Sequence, residues 1–481
     1  MQSISNYKKT KIIFLTFFIL VGIFLRFNNY NLQDFWWDEL MEFTTANPYL
    51  TLNETYKRAH SLTIGANLEY DFATNANFYF YIYKFFFKIF SYTPGTGRLI
   101  VASLGSMVFL LSIYIFYKNI GKNILVFSII IVFNYYLIIQ SQEFKYNIFF
   151  CLISLISILF FFIFKTNKNS NNKNIIKIFY FLSIFFTIWT HVFGFIILFS
   201  QILTLLIKER KILIENFFYY LLTIFIYLII NFKQLLNFST IKKFHVPQKQ
   251  IEFFFDYDFK YFFGSIISGK VFLLFFLLLF LFNFKKLLKS KFEIIFLIIL
   301  IFMTYILPIA YSYISKPILE TRYIIFIIPC LIFLLVYMIE LIDKKIIRLI
   351  VTSILIFFTT SNTIYSLYVL KKNDKPHLTE VLSKIKSQSD NLKPYVVISN
   401  SYLLNYAQRK TKFKKLNISL ISCEELNFLN IKSWWEVSIF PWDRFAYCGT
   451  KLKKPNEFIK KSITSKKIEA RYAVGTLMIS N

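Results

Sequence analysis

The sequence predicts an α-helical polytopic membrane protein of about eleven transmembrane helices, with interfacial helices in its first external loop and a small soluble α/β domain at the C-terminal end. Three observations lead there. Apolar residues arrive in blocks of about 17–25, the length that crosses a hydrocarbon core, in a chain that is 56% hydrophobic and 21% aromatic with a mean hydropathy of +0.54. The loops between blocks alternate between basic and mixed charge. After Lys371 the apolar blocks stop.

The first block, KIIFLTFFILVGIFLRF, follows Lys8 and Lys9. A signal peptide also opens with a basic flank and an apolar run, but no small-residue cleavage site follows and many more spans do, so the block reads as the first transmembrane helix. Its basic flank places the N-terminus in the cytoplasm and the stretch 27–95 on the opposite face. Further spans fall near 97–117, 123–140, 147–164, 177–190, 193–207, 213–230, 269–284, 292–313, 323–341 and 349–370. The loops YKNIGKN, KTNKNSNNKNIIK, KERK, NFKKLLKSK and DKKIIR are basic and read as cytoplasmic, whereas SQEFKY, THVFG and SKPILETR are mixed and lie opposite. The chain thus divides into a transmembrane portion, 1–370, and an extracytoplasmic portion, 371–481, of ordinary domain size.

In 371–481, PHLTEVLSKIKSQ has helical spacing, while PYVVISNS and RYAVGTLMI read as strands. Trp434, Trp435, Trp442 and Asp443 cluster there; tryptophan can stack on a sugar ring, but packing a small core is its more common use. Of four cysteines, Cys151 and Cys330 lie in apolar blocks and Cys423 and Cys448 in the polar stretch, none at metal-ligand spacing. Outside the cytoplasm Cys423 and Cys448 could pair, with two free thiols as the alternative.

The formal net charge is +29 at pH 7. Clustered on a soluble domain, that excess would suggest nucleic acid. Here the basic residues sit in short loops beside apolar blocks, where the positive-inside bias accounts for them, so membrane lipids and not nucleic acid are the expected partners. The 62 Phe and 32 Tyr accordingly read as lipid-facing or core residues, with no cofactor implied.

Ionisable residues gather at the external face. The first external loop contains NLQDFWWDELMEF, which places Asp34, Asp38, Glu39 and Glu42 on and just before an interfacial helix beside Trp36 and Trp37. Side chains at i and i+1 diverge by about 100° on a helix, so Asp38 can face a substrate while Glu39 meets a partner. An acidic, Trp-anchored helix at headgroup level is the alternative. Glu143 and Lys145 in SQEFKY, His191 in THVFG, and Lys316, Glu320 and Arg322 in SKPILETRY lie on the same face. Cations for a phosphate, a carboxylate for an acceptor proton and a greasy groove for an isoprenoid tail would together suit a polyprenyl-phosphate substrate. Arg and Lys near span ends also commonly snorkel, and a lone His is commonly structural.

In chain order, five segments resemble motifs of the GT-C glycosyltransferases of the protein-mannosyltransferase and aminoarabinose-transferase type. WWDE at 36–39 resembles the acidic motif of the first external loop, and ANFYFYIYKFFFKIF followed by GRLIVASLGS resembles the interfacial helix and second span. SQEFKYN resembles a Ser-x-Glu-x-Arg-x-Tyr element, THVFG a Thr-His-aromatic-x-Gly turn, and ETRYIIFIIP an Arg-Tyr span start. Two departures stand out: Asn75, Ala76 and Asn77 replace a His-Pro-Pro element, and Lys145 replaces an arginine, keeping a point charge but losing a bidentate fork.

The resemblance implies a GT-C-type fold in a bacterial cytoplasmic membrane and inverting transfer of a sugar from a polyprenyl-phosphate donor to a lipid, glycan or protein acceptor at the external face. It implies Asp38 as catalytic base with Glu39 positioning the loop, Lys145, Arg322 and Tyr323 at the donor phosphate, and His191, Glu69, Asp71 and Glu143 as candidate donor or acceptor contacts. Some relatives bind a divalent metal, for which Glu69 and Asp71 are the candidate carboxylates; no other cofactor is implied. A polysaccharide polymerase or ligase would place its catalytic loop late in the chain, where 231–267 offers His245, Asp256 and Asp258. A transporter or flippase should show repeats or Gly/Pro-broken helices, which 11 Gly and 10 Pro do not suggest. A non-catalytic scaffold predicts that the external charges do not converge.

Overall fold

The computed structural model describes residues 2–31, 33–60, 62–64, 68–70, 78–166, 173–240, 265–314, 318–369, 377–389, 393–429, 431–439, 448, 452, 454–470 and 473–480. Helix α1 (Gln2–Phe27) ends near Asn29, whose φ of 57° lies in the left-handed region that asparagine tolerates. The chain then makes α2 (Trp37–Thr45), α3 (Leu52–His60), a small antiparallel hairpin of β1 (Leu62–Ile64) and β2 (Leu68–Tyr70), and α4 (Phe78–Ile89). Both α2 and α4 are short helices between the first two long apolar helices, in the stretch where the sequence predicts interfacial helices.

Among the described residues, the α-helices that follow in this portion are α5 (Pro94–Ile115), α6 (Ile124–Val132), α7 (Tyr135–Gln140), α8 (Asn147–Thr166), α9 (Lys173–Thr190), α10 (Gly194–Lys208), α11 (Arg210–Thr240), α12 (Ile266–Leu288), α13 (Phe292–Ile314), α14 (Ile327–Glu340) and α15 (Lys345–Val369). Among the described residues, eight helices are long and apolar enough to cross a membrane. Their outer faces carry large bare hydrophobics such as Phe282, 82% exposed, which water would penalise and lipid accepts. Inside the bundle, Ser106, Ser112, Thr187, Ser200, Thr204 and Thr304 each donate to the carbonyl four residues back, satisfying their hydroxyls within their own helix.

Among the described residues, the blocks expected as eleven spans appear as eight long helices and several shorter ones. The block 123–140 is broken at Asn134, whose side chain accepts from the Leu137 N–H at 3.0 Å and so caps a new helix, α7. Helices α10 and α14, at 15 and 14 residues, fall short of the length of a straight crossing.

The C-terminal unit contains α16 (Leu378–Ser387), β3 (Tyr395–Val397), α17 (Ser401–Arg409), β4 (Ser419–Ile421), β5 (Ser433–Ile439), β6 (Ser462–Ala470) and β7 (Ala473–Ser480). Its five-stranded sheet has the order β4-β3-β5-β7-β6, with β3 parallel to β4 and β5 and the β5-β7-β6 pairings antiparallel. Trp434 and Trp435 are successive residues of β5 and point to opposite faces. They pack into two different apolar clusters, 1% and 5% exposed, so both serve the core of this unit. Trp442 and Asp443 lie outside the described residues. Cys423 and Cys448 form a disulfide, Cα to Cα 5.3 Å, resolving the alternative of two free thiols.

One carboxylate makes several of the contacts that tie the unit to the membrane portion. Asp34 accepts from the Thr379 backbone N–H at 2.7 Å, the Thr379 hydroxyl at 2.9 Å and the Tyr406 hydroxyl at 3.0 Å, and it pairs with the buried Lys410 ammonium. The Tyr406 ring stacks on Phe35 at 4.9 Å, and Asn405 donates to Thr44 and Tyr92. The segment leading into α2 is thus held from the C-terminal side as well as from the bundle.

Candidate active site

The site begins with the two adjacent carboxylates of α2. Glu39 is fully buried and its oxygens are all engaged: it accepts from Arg98 Nε at 3.2 Å and Nη2 at 3.1 Å, from the Phe144 backbone N–H at 2.7 Å, and from the Trp36 N–H at 3.4 Å. Asp38 points elsewhere. Its Oδ2 lies 2.6 Å from Arg322 Nη1 and 3.2 Å from Lys145 Nζ, with the side chain 31% exposed. The divergence of neighbouring residues on a helix thus gives one carboxylate a structural partner and leaves the other at the cations.

The segment GRLIVASLG of α5 explains how the cations are brought there. Gly97 lies so close to Phe144 that a Cβ would sit 2.8 Å from its ring, and at Gly105 a Cβ would sit 2.0 Å from the Ser141 hydroxyl. These two glycines let the 141–146 loop lie directly on α5. Arg98, between them, fixes Glu39, and Glu39 fixes the Phe144 backbone, which delivers the next residue, Lys145, to Asp38. The Lys145 ammonium also sits 3.7 Å above the Trp36 ring and 3.8 Å from Glu143. Arg322 comes from a short 3-10 turn, Thr321–Ile324, ahead of α14, with Glu320 2.9 Å from its Nε.

The electrostatics follow. Burial pushes the Asp38 carboxyl up, but Lys145 and Arg322 together outweigh it and hold the pKa at about 2. Glu42, one turn further along α2, behaves oppositely. Burial pushes its carboxyl well above the ordinary range; Lys145 counters this, while Asp38 and Glu39 add to it. Burial, aided by the Arg322 cation, lowers His191 to about 3. His191 is therefore a neutral imidazole, and because its Nδ1 accepts from the Phe193 N–H at 3.2 Å, its proton resides on Nε2. Its ring lies 5.0 Å from that of Tyr323 and stacks at 5.4 Å on Tyr146.

The structure thus brings Asp38, Glu143, Lys145, His191, Arg322 and Tyr323 into one cluster. Glu69 falls in β2, opposite Thr63 in the hairpin register, and its side chain, together with Asp71, Lys316, Asn75, Ala76 and Asn77, lies outside the described residues, as do His245, Asp256 and Asp258. Among the described residues no three His, Cys, Asp or Glu side chains gather as a metal site would require. Arg98 and Asp34 make structural contacts that sequence reasoning did not assign. Arg98 had a usable signal, an ionisable residue one turn inside an apolar span.

No family model matches the sequence, and no curated protein matches it by sequence. Solved structures do match by shape. ArnT from Cupriavidus metallidurans bound to undecaprenyl phosphate superposes with a TM-score of 0.54 at 10% identity, covering 98% of each chain. Its apo form gives 0.54 at 11% identity with the same coverage. The Archaeoglobus fulgidus oligosaccharyltransferase, in complex with Zn and sulfate, gives 0.51 at 12% identity over 94% of this chain and 71% of that one. With near-complete coverage of the membrane helices and the C-terminal sheet together, the chain has the GT-C fold of these glycosyltransferases.

Proposed function

We propose that the chain is an inverting glycosyltransferase of a bacterial cytoplasmic membrane that takes a sugar from a polyprenyl-phosphate donor at the external face and passes it to a lipid, glycan or protein acceptor. The observation that carries this reading is the carboxylate of Asp38 held between two cations from distant parts of the chain. The undecaprenyl phosphate bound by the structural neighbour ArnT supports the lipid carrier. The Cys423–Cys448 disulfide supports an extracytoplasmic location for the C-terminal unit, 371–481, beside a transmembrane catalytic portion, 1–370.

In this mechanism the donor phosphate takes Lys145 and Arg322 from Asp38. Each charge-assisted contact contributes about 1.5–3 kcal/mol, and both strengthen as the leaving phosphate gains charge. The exchange also tunes the base. Asp38 is a weak base while two cations face it, but a phosphate that neutralises them leaves burial as the dominant influence and raises its basicity when the donor is in place. The acceptor oxygen attacks the anomeric carbon from the face opposite the phosphate. The bond from that carbon to the phosphate oxygen breaks, its electron pair leaves with polyprenyl phosphate, and the acceptor proton passes to Asp38. Glu39 positions the loop, and Tyr323 lines the donor side.

The test is transfer itself. Purified full-length protein in nanodiscs, given radiolabelled polyprenyl-phosphate sugars and envelope acceptors, is expected to release polyprenyl phosphate in step with acceptor labelling. Failure to discharge any donor of a broad panel that it binds would overturn the reading.

A further inference from the structure

Beside the carboxylate and cation cluster lies a second group of polar atoms that the transfer mechanism does not use. Glu42 Oε2, the Tyr146 hydroxyl and His191 Nε2 are all buried and, among the described residues, meet no hydrogen-bond partner. Leaving such atoms unpaired costs about 1–3 kcal/mol each, a cost that the polar groups of a ligand would remove, and Glu42 lies near enough to Tyr146 and Tyr79 to act on their hydroxyls electrostatically. They are also contiguous with Asp38. Glu42 is its i+4 neighbour on α2 and so shares its face. Tyr146 directly follows Lys145, and its ring lies against His191 and 5.3 Å from Tyr79.

Burial pushes the Glu42 carboxyl well above its ordinary range and leaves the His191 imidazole uncharged. A carboxyl, a phenol and an imidazole set among the aromatic rings of Tyr79, Tyr146, Phe150, Phe193 and Tyr323 carry no cation for a phosphate, which the adjacent Lys145 and Arg322 serve better. The three groups suit a ring that presents several hydroxyls on an apolar frame.

We propose that Glu42 and Tyr146, with the Nε2–H of His191, form a subsite that reads hydroxyls of the transferred sugar, next to but separate from the cations that hold its phosphate. The inference rests on the proposed transfer reaction and names the part of the donor recognised there. A site built to bond a hydroxyl discriminates strongly against an analogue lacking it, because its own buried groups are then left unpaired.

The experiment measures kcat/KM of the full-length protein with a polyprenyl-phosphate hexose and with a set of donors each missing one ring hydroxyl. Glu42→Leu and Tyr146→Phe are each expected to lower kcat/KM for the complete donor about 10-fold, and to leave it within about 2-fold for one particular deoxy donor. Glu42→Gln, which keeps a neutral donor and acceptor, should stay within about 3-fold of the unaltered protein. Binding of undecaprenyl phosphate, which has no sugar, should be unchanged in all three variants. An equal loss against every donor, or a loss of undecaprenyl phosphate binding, overturns the subsite while the transfer reading stands. If the unaltered protein transfers no sugar, the transfer reading falls and the subsite with it.

Discussion

Replacing Asp38 by asparagine is expected to lower sugar transfer about 10²–10⁴-fold, the usual contribution of a general base, while undecaprenyl phosphate binds at least as tightly as before. The two halves of that expectation come from the same contacts. In the resting protein the Asp38 carboxylate occupies Lys145 and Arg322 at 3.2 and 2.6 Å, and in the proposed mechanism a donor phosphate displaces it. An amide of the same shape removes the competing charge and the proton acceptor together. Steady-state transfer and equilibrium lipid binding on the same preparation separate the effects. Reduced transfer with weakened phosphate binding would instead make Asp38 a structural organiser of the cations.

Arg98→Met is expected to produce the largest loss of stability, about 3–5 kcal/mol, because it leaves the fully buried Glu39 charge without its partner. Thermal unfolding in detergent checks it as a lowered midpoint. The pair also transmits position. Glu39 holds the Phe144 N–H at 2.7 Å, and Lys145 follows Phe144, so the same substitution should loosen the cation and depress transfer. Combining Arg98→Met with Glu39→Gln removes the buried charge altogether and should recover most of the stability. An unchanged midpoint in the single variant would show that the pair does not anchor the loop.

Much of this arrangement was legible in the sequence, and the physical reason is locality. The first span, the interfacial helices and the divergence of Asp38 from Glu39 follow from apolar block lengths and helical periodicity. The common face of Asp38, Lys145, His191 and Arg322 was inferred from alternating loop charge, and the structure brings these four together. What escaped depends on contacts distant in sequence or on one side chain acting against its context. Asp34 meets Thr379, Tyr406 and Lys410 more than three hundred positions away, and no local pattern announces that. Asn134 breaks an apolar block that reads as one span because its amide caps a helix better than it continues one. The sequence sets Glu42 beside Asp34, Asp38 and Glu39 with nothing to separate it from them, and only its enclosure in the fold does so.

The central claim is that Lys145 and Arg322 receive the phosphate of a lipid-linked sugar. Equilibrium binding of undecaprenyl phosphate to the full-length protein, compared with Lys145→Ala and Arg322→Ala, tests it most directly. Loss of one charge-assisted contact predicts about 10–100-fold weaker binding for each variant. Affinity equal to that of the unaltered protein in both variants would contradict the claim.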